Sequence, residues 1–174
     1  MAKNIVVILA HPDMGSSKLN KRLVQAAKET GATVHEIYSA YPDGKIDVAR
    51  EQGLLAKADT IVLQFPFYWY STPSLLKQWE DDVLAYGFAY GSKGKALAGK
   101  KLMVATTTGR AADAYAKTGS AGFTLDELLA PLEATSNLCG MVWQPVFSIN
   151  EALKISDEEL ERGAQEYKKR LMGL

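Results

Sequence analysis

Cysteine is almost absent from this chain. Its 174 residues include one, Cys139, so no disulfide framework can form within it. Two histidines beside that single thiol are too few for a structural zinc site. Long hydrophobic runs are also missing. The longest wholly apolar run is residues 5–10, far short of the roughly 20 residues that span a bilayer. Neither sign of charge is in excess. Lys and Arg number 20, as do Asp and Glu, and the formal net charge is zero. The basic footprint of a nucleic-acid binder and the acidic excess of a strongly charged electron carrier are therefore both lacking. No internal repeat, low-complexity tract or charge block occurs. The opening Met1-Ala2-Lys3-Asn4 enters the first apolar run with no cleavage site after it, so no signal peptide is expected and the cytoplasm is the expected location.

Several familiar motifs are missing too. There is no GxGxxG fingerprint, no GxSxG elbow and no HExxH. Residues 94–100 nearly spell a phosphate-binding P-loop. However, Lys101 stands where Ser or Thr is needed, and the run precedes a strand instead of following one. Cys139, late in an apolar helical stretch beside Gly140, reads as a buried, inert thiol.

What remains is an ordinary soluble globule, 47% hydrophobic and 23% charged, of a length that suits one domain over residues 1–174. Short β-branched runs alternate with helical stretches. Strands are expected at 5–10, 33–38, 60–65, 102–106 and 142–147. Helices are expected at 17–30, 47–57, from Thr72-Pro73 as cap and first turn, at 124–137 with a kink or division at Pro131, and after a Ser156/Glu159 capping box. This alternation predicts an α/β, doubly wound, five-stranded parallel sheet in a single domain. On such sheets ligands sit outside the carboxyl ends of the strands. Function should therefore lie in segments 11–20, 66–71 and 107–115.

Segment 11–20 runs from strand to helix, where free backbone N–H groups make an anion site. Ser16, Ser17 and Asn20 add donors and Lys18 adds charge. A plain helix cap explains the same serines. His11 reads equally as a structural histidine, and His35 as structural or exposed. The run Phe67-Tyr68-Trp69-Tyr70, between Pro66 and Pro73, is the most unusual stretch. Four successive aromatics cannot all point inward, so some face a ligand or a partner chain. Segment 106–110, Thr-Thr-Thr-Gly-Arg, offers hydroxyls, amides and a close-approach glycine to a polar ligand edge, with Tyr115 on the same rim. Read alone, it is ordinary turn chemistry. Residues 87–95 read as a flexible Gly-rich loop, lid or connector, and Glu80-Asp81-Asp82 as a solvated helix face.

Taken in order, Ala10-His11-Pro12, Ser17 to Asn20, Gln64-Phe65-Pro66 with Tyr68-Trp69-Tyr70-Ser71, Leu76-Lys77-Gln78-Trp79, Gly87-Phe88-Ala89-Tyr90-Gly91 and Thr107-Thr108-Gly109 resemble the flavodoxin-like NAD(P)H:quinone oxidoreductases. The similarity is greatest to the short bacterial members, which include ancillary flavoproteins of glutathione-gated potassium efflux systems and general-stress oxidoreductases. The resemblance implies a bound flavin, a homodimer with sites at the subunit interface, and ping-pong hydride transfer from NAD(P)H to a quinone. FMN is expected over FAD, because no extra segment stands out to cradle an adenine. By the same resemblance, His11, Ser17, Lys18, Leu19 and Asn20 surround the flavin phosphate. Phe67, Tyr68, Trp69 and Tyr70 hold the isoalloxazine, and Thr107, Thr108, Gly109 and Arg110 line its pyrimidine edge. Tyr115, Thr108 and Gly109 stabilise charge there, and Phe88 and Tyr90 from the second subunit roof the substrate pocket. Two departures stand out: Arg110 replaces a glycine common in relatives, and Ala121 replaces the histidine that larger members pair with the tyrosine at position 115. Three other readings remain open: a regulatory subunit docked on a potassium efflux transporter, a one-electron carrier, and an azo- or nitroreductase. Preference between NADPH and NADH is also open.

Overall fold

The computed structural model describes residues 3–174. Among the described residues there are six strands: β1 (Ile5–Leu9), β2 (Thr33–Glu36), β3 (Thr60–Pro66), β4 (Lys101–Thr107), β5 (Val142–Trp143) and β6 (Phe147–Ile149). They alternate with helices α1 (Lys18–Glu29), α2 (Ile37–Ala40), α3 (Val48–Lys57), α4 (Ser74–Val83), α5 (Leu125–Leu138) and α6 (Asp157–Gly173). The sheet order is β2-β1-β3-β4-β5, with β6 also on β4, and every pairing is parallel. Strand order reverses between β1 and β3, which sets the switch point where doubly wound sheets bind ligands.

Strand periodicity builds two cores. Val6, Ile8, Ile61, Leu63, Leu102 and Val104 face Leu55, Trp79 and Leu129 on one side. Ile5, Val7, Val62, Met103 and Ala105 face Leu23, Ala27, Ala164 and Tyr167 on the other. The continuous apolar runs of the sequence thus lie between two helical layers.

Several elements differ from expectation. The fifth strand is split, because Pro145 cannot donate to the ladder. Val142–Trp143 pairs with the start of β4, and Phe147–Ile149 with its end. The second strand stops at Glu36, and Ile37 opens the short α2. Pro73, not Thr72, stands at the N-cap of α4, with no side-chain cap. α5 is not divided at Pro131: it runs unbroken from its Thr124/Glu127 capping box to Leu138. The 87–95 loop is tied down rather than open. Gly87 N–H donates to Tyr90 O, Ala96 N–H donates to Phe88 O, and Ala89 is fully buried. Glycine is obligatory at 94, where a Cβ would fall 2.0 Å from the Tyr90 carbonyl oxygen. Glu80 is not part of a solvated face but turns inward beside the exposed Asp81 and Asp82. His35 is structural, as one reading had it. Its Nε2 meets the Glu51 carboxylate at 2.8 Å, which also accepts from Tyr41 OH at 2.6 Å and Trp79 Nε1 at 2.8 Å. Burial pushes Glu51 up, but these three partners pull harder and hold it below the usual carboxylate range. The Cys139 thiol is buried and raised by desolvation.

Candidate functional site

The loops after β1, β3 and β4 converge at the carboxyl edge of the sheet. Beneath them lies a buried polar chain. Tyr167 OH donates to Gln64 Oε1 at 3.2 Å, Gln64 Nε2 donates to Asn20 Oδ1 at 3.2 Å, and Asn20 Nδ2 donates to Thr107 Oγ1 at 3.2 Å. It ties α6, β3, α1 and β4 together under the loops. Asn20 is 1% exposed, so its side chain braces the site from below.

In the first loop, Ser17 Oγ caps α1 by accepting from Asn20 N–H at 3.2 Å. Among the described residues, the N–H groups of Lys18 and Leu19 find no acceptor, as the first turn of a helix dictates. Leu19's side chain lies in the core, so only its amide can serve a ligand. Lys18 turns aside to pair with Asp157 at the start of α6. His11 Nδ1 accepts from Asp13 N–H at 3.1 Å. That leaves Nε2 to carry the proton of the neutral ring, the form favoured by burial, which lowers its basicity. Asp13 braces the turn, and hydrogen bonds from Ser16 hold its carboxyl below the ordinary range.

The second loop is strained. Tyr68 and Ser71 exchange backbone hydrogen bonds at 3.0 and 2.9 Å, closing a two-residue turn. Trp69 (φ 48°) and Tyr70 (φ 63°) occupy its centre, both left-handed as a type I′ turn requires. Asn and Gly are the usual occupants, and a bulky residue there is a genuine outlier. The strain holds Trp69 94% exposed. Phe67 stays half-buried, edge-on to Tyr70 (6.4 Å between centroids) and to Tyr115 (5.9 Å).

The third loop is held by the turn after β6. Thr108 N–H donates to Ile149 O, Ala152 N–H to Thr108 O, and Glu151 N–H to Arg110 O, all within 3.0 Å. Thr108 is fully buried. Its hydroxyl lies 2.8 Å from both Arg110 O and Asn150 Oδ1, so it sets the shape of the loop instead of facing a ligand.

Phe67, Trp69, Tyr70, Gly109, Arg110 and Tyr115 line a cleft of about 200 Å³. Around it, the N–H groups of Trp69, Tyr70, Gly109 and Arg110 have no acceptor among the described residues. Aromatic walls with unspent backbone donors suit a flat heterocycle rich in acceptors. The α1 amides supply an anion site on the neighbouring loop. Phe88 and Tyr90 do not line this cleft. Tyr90 lines a separate cavity of about 320 Å³ between α4 and α5, with Glu80, Leu129, Leu132 and Leu138. That larger cavity runs along the flanks of α4 and α5, and its lining also includes Ser71 and Thr72 of the loop after β3.

Sequence reasoning thus named most of the cleft and missed its supports, Asn150, Ser120 and Tyr167. Gln64 carried a signal: it is the polar residue inside an otherwise apolar central strand.

Comparison with known proteins agrees with this geometry. The chain is 44% identical over 169 residues to the glutathione-regulated potassium-efflux system ancillary protein KefF of Klebsiella pneumoniae, covering 97% of this chain and 94% of that one. The general stress protein 14 of Treponema denticola, solved in complex with FMN, superposes with a TM-score of 0.92 at 42% identity, covering 98% of each chain. An NADPH-quinone reductase from P. pentosaceus superposes with a TM-score of 0.88 at 32% identity over 96% of each. The profile of the family described as having a flavodoxin-like fold matches residues 3–171, and this chain belongs to that family.

Proposed function

We propose that this chain binds FMN and acts as an NAD(P)H oxidoreductase that passes two electrons to quinones or similar flat acceptors. The aromatic cleft with four unspent amides, beside an amide-lined anion loop at the switch point, carries the reading. The residues fit FMN. The amides of Lys18 and Leu19, with Ser17 and the His11 Nε2–H, would hold the phosphate. Phe67, Trp69 and Tyr70 would hold the ring face, and the amides of Gly109 and Arg110 would meet the pyrimidine edge. FMN found in a relative of 42% identity supports the same choice.

When bound, the flavin supplies hydride chemistry between a nicotinamide and an acceptor. The chain orients and stabilises. Donors fixed before reaction stabilise negative charge without reorganising. Thr108 is a positioning residue that keeps the Gly109 and Arg110 amides aimed, and Tyr115 offers a phenol on the same rim. A flavin held in this single cleft would offer donor and acceptor the same face, so that they would take turns. With NADPH and a quinone both varied, double-reciprocal plots should be parallel; intersecting lines would contradict alternating occupancy.

A homodimer completes this reading. Phe88 and Tyr90 lie outside the cleft of their own chain, which leaves them available to the cleft of a second copy. The KefF relative supports a further role as the ancillary subunit of a potassium efflux system. Copurification with such a transporter tests that role independently of catalysis.

A further inference from the structure

We propose that Arg110, latched by Ser120, is the cationic group through which this chain favours the reduced, anionic form of its flavin over the oxidised, neutral form. The inference rests on the FMN reading above and assigns the charge-handling residue of that site. Among the described residues, Arg110 is the only charged residue lining the aromatic cleft. Its backbone is fixed from two sides, because its carbonyl accepts from Thr108 Oγ1 at 2.8 Å and from Glu151 N–H at 3.0 Å. Its guanidinium is fixed as well: Nη1 donates to Ser120 Oγ at 2.7 Å, across the loop that also carries Tyr115. No carboxylate among the described residues pairs with it. An unneutralised, preorganised cation at the edge of the cleft has one clear electrostatic consequence, which is to stabilise negative charge that appears there.

Uptake of two electrons and one proton turns the neutral oxidised ring into a monoanion. A cation beside the ring therefore binds the product of that step more tightly than its reactant. By linkage, this raises the midpoint potential, about 30 mV for each tenfold difference in affinity. No titratable side chain at position 121 is needed for this, and Ala121 supplies none.

The experiment is an equilibrium redox titration of the FMN-loaded protein against a reference dye, with separate titrations of FMN into apoprotein. Arg110→Gln should lower the two-electron midpoint potential by about 30 mV or more, the equivalent of about tenfold weaker binding of reduced FMN. Oxidised FMN should bind within about threefold of the parent. Arg110→Lys should recover part of the shift, and Ser120→Ala should show a smaller shift of the same sign. An unchanged potential, or equal loosening of both redox states, would overturn the assignment while leaving FMN binding intact. Failure of the parent apoprotein to bind FMN at all would instead overturn the functional reading, and this inference with it.

Discussion

At the scale of single residues, Gln64 and Glu80 are the two departures from an apolar interior that matter most. Gln64 is fully buried and bonded at both ends of its amide, to Tyr167 and to Asn20. Gln64→Leu leaves both partners unsatisfied and should cost about 1–3 kcal/mol in denaturant unfolding. The double variant with Tyr167→Phe should recover part of that loss. A neutral single variant would show that the polar chain does not brace the site. Glu80 is the opposite case: one carboxylate oxygen is buried without a partner, and burial pushes its pKa up to about 7. The folded state therefore binds a proton more tightly than the unfolded one. The stability this gives is present at low pH and is lost as pH rises from about 4.5 through 7. At 1.36 kcal/mol per pKa unit the loss approaches roughly 3 kcal/mol. Glu80→Gln should flatten that pH dependence and be the more stable protein at pH 8. Parallel curves for the two proteins between pH 5 and 8 would contradict this.

Among elements, the turn at Trp69-Tyr70 shows stability given up at the site. Two aromatic residues in left-handed conformations cost of order 1–3 kcal/mol each. Tyr70→Gly should raise the unfolding free energy of the apoprotein by about 1 kcal/mol and weaken FMN binding. Greater stability with unchanged affinity would mean that the strain serves something other than the ring. Pro131 makes a similar point in α5, where it interrupts the hydrogen-bond ladder without dividing the helix. Pro131→Ala should stabilise the protein by about 1–3 kcal/mol, read as a shift in denaturation midpoint. The elements legible in the sequence were those whose causes are local. The apolar runs of β1, β3 and β4 and the capping box at Ser156 are of that kind. What escaped depends on distant partners. Leu129 and Leu132, on either side of Pro131, are buried in the core and hold α5 in one piece, and the hydrogen bonds of 85–96 fix a loop whose glycines look flexible in isolation. Likewise, Asn150 and Ser120 gain their roles only when β6 and the 112–122 loop fold back on Thr108 and Arg110.

For the molecule as a whole, the balance of 20 acidic and 20 basic groups leaves no net charge to steer a charged partner from a distance. Recognition falls instead to shape and to the apolar surface. Trp69, Tyr86 and Leu138 all remain largely exposed. Among the described residues, no helix is long and apolar enough to cross a membrane. The fold places the loop after β1, the aromatic turn and the Thr-Gly-Arg loop at one edge because β1, β3 and β4 are adjacent and parallel. Three segments far apart in sequence therefore act as one site. Each was visible in the sequence as a loop following a strand, and only the aromatic one as unusual in itself, whereas the polar chain beneath them was not visible. The reading of this edge as a flavin site served by a nicotinamide is tested by the visible spectrum of the purified protein, titrated with FMN and then with NADPH under anaerobic conditions. Saturable flavin bands that bleach directly to the two-electron reduced form are expected. Failure of both FMN and FAD to bind, or bound FMN that stays oxidised under excess NADPH and NADH, would contradict a nicotinamide-served flavin site.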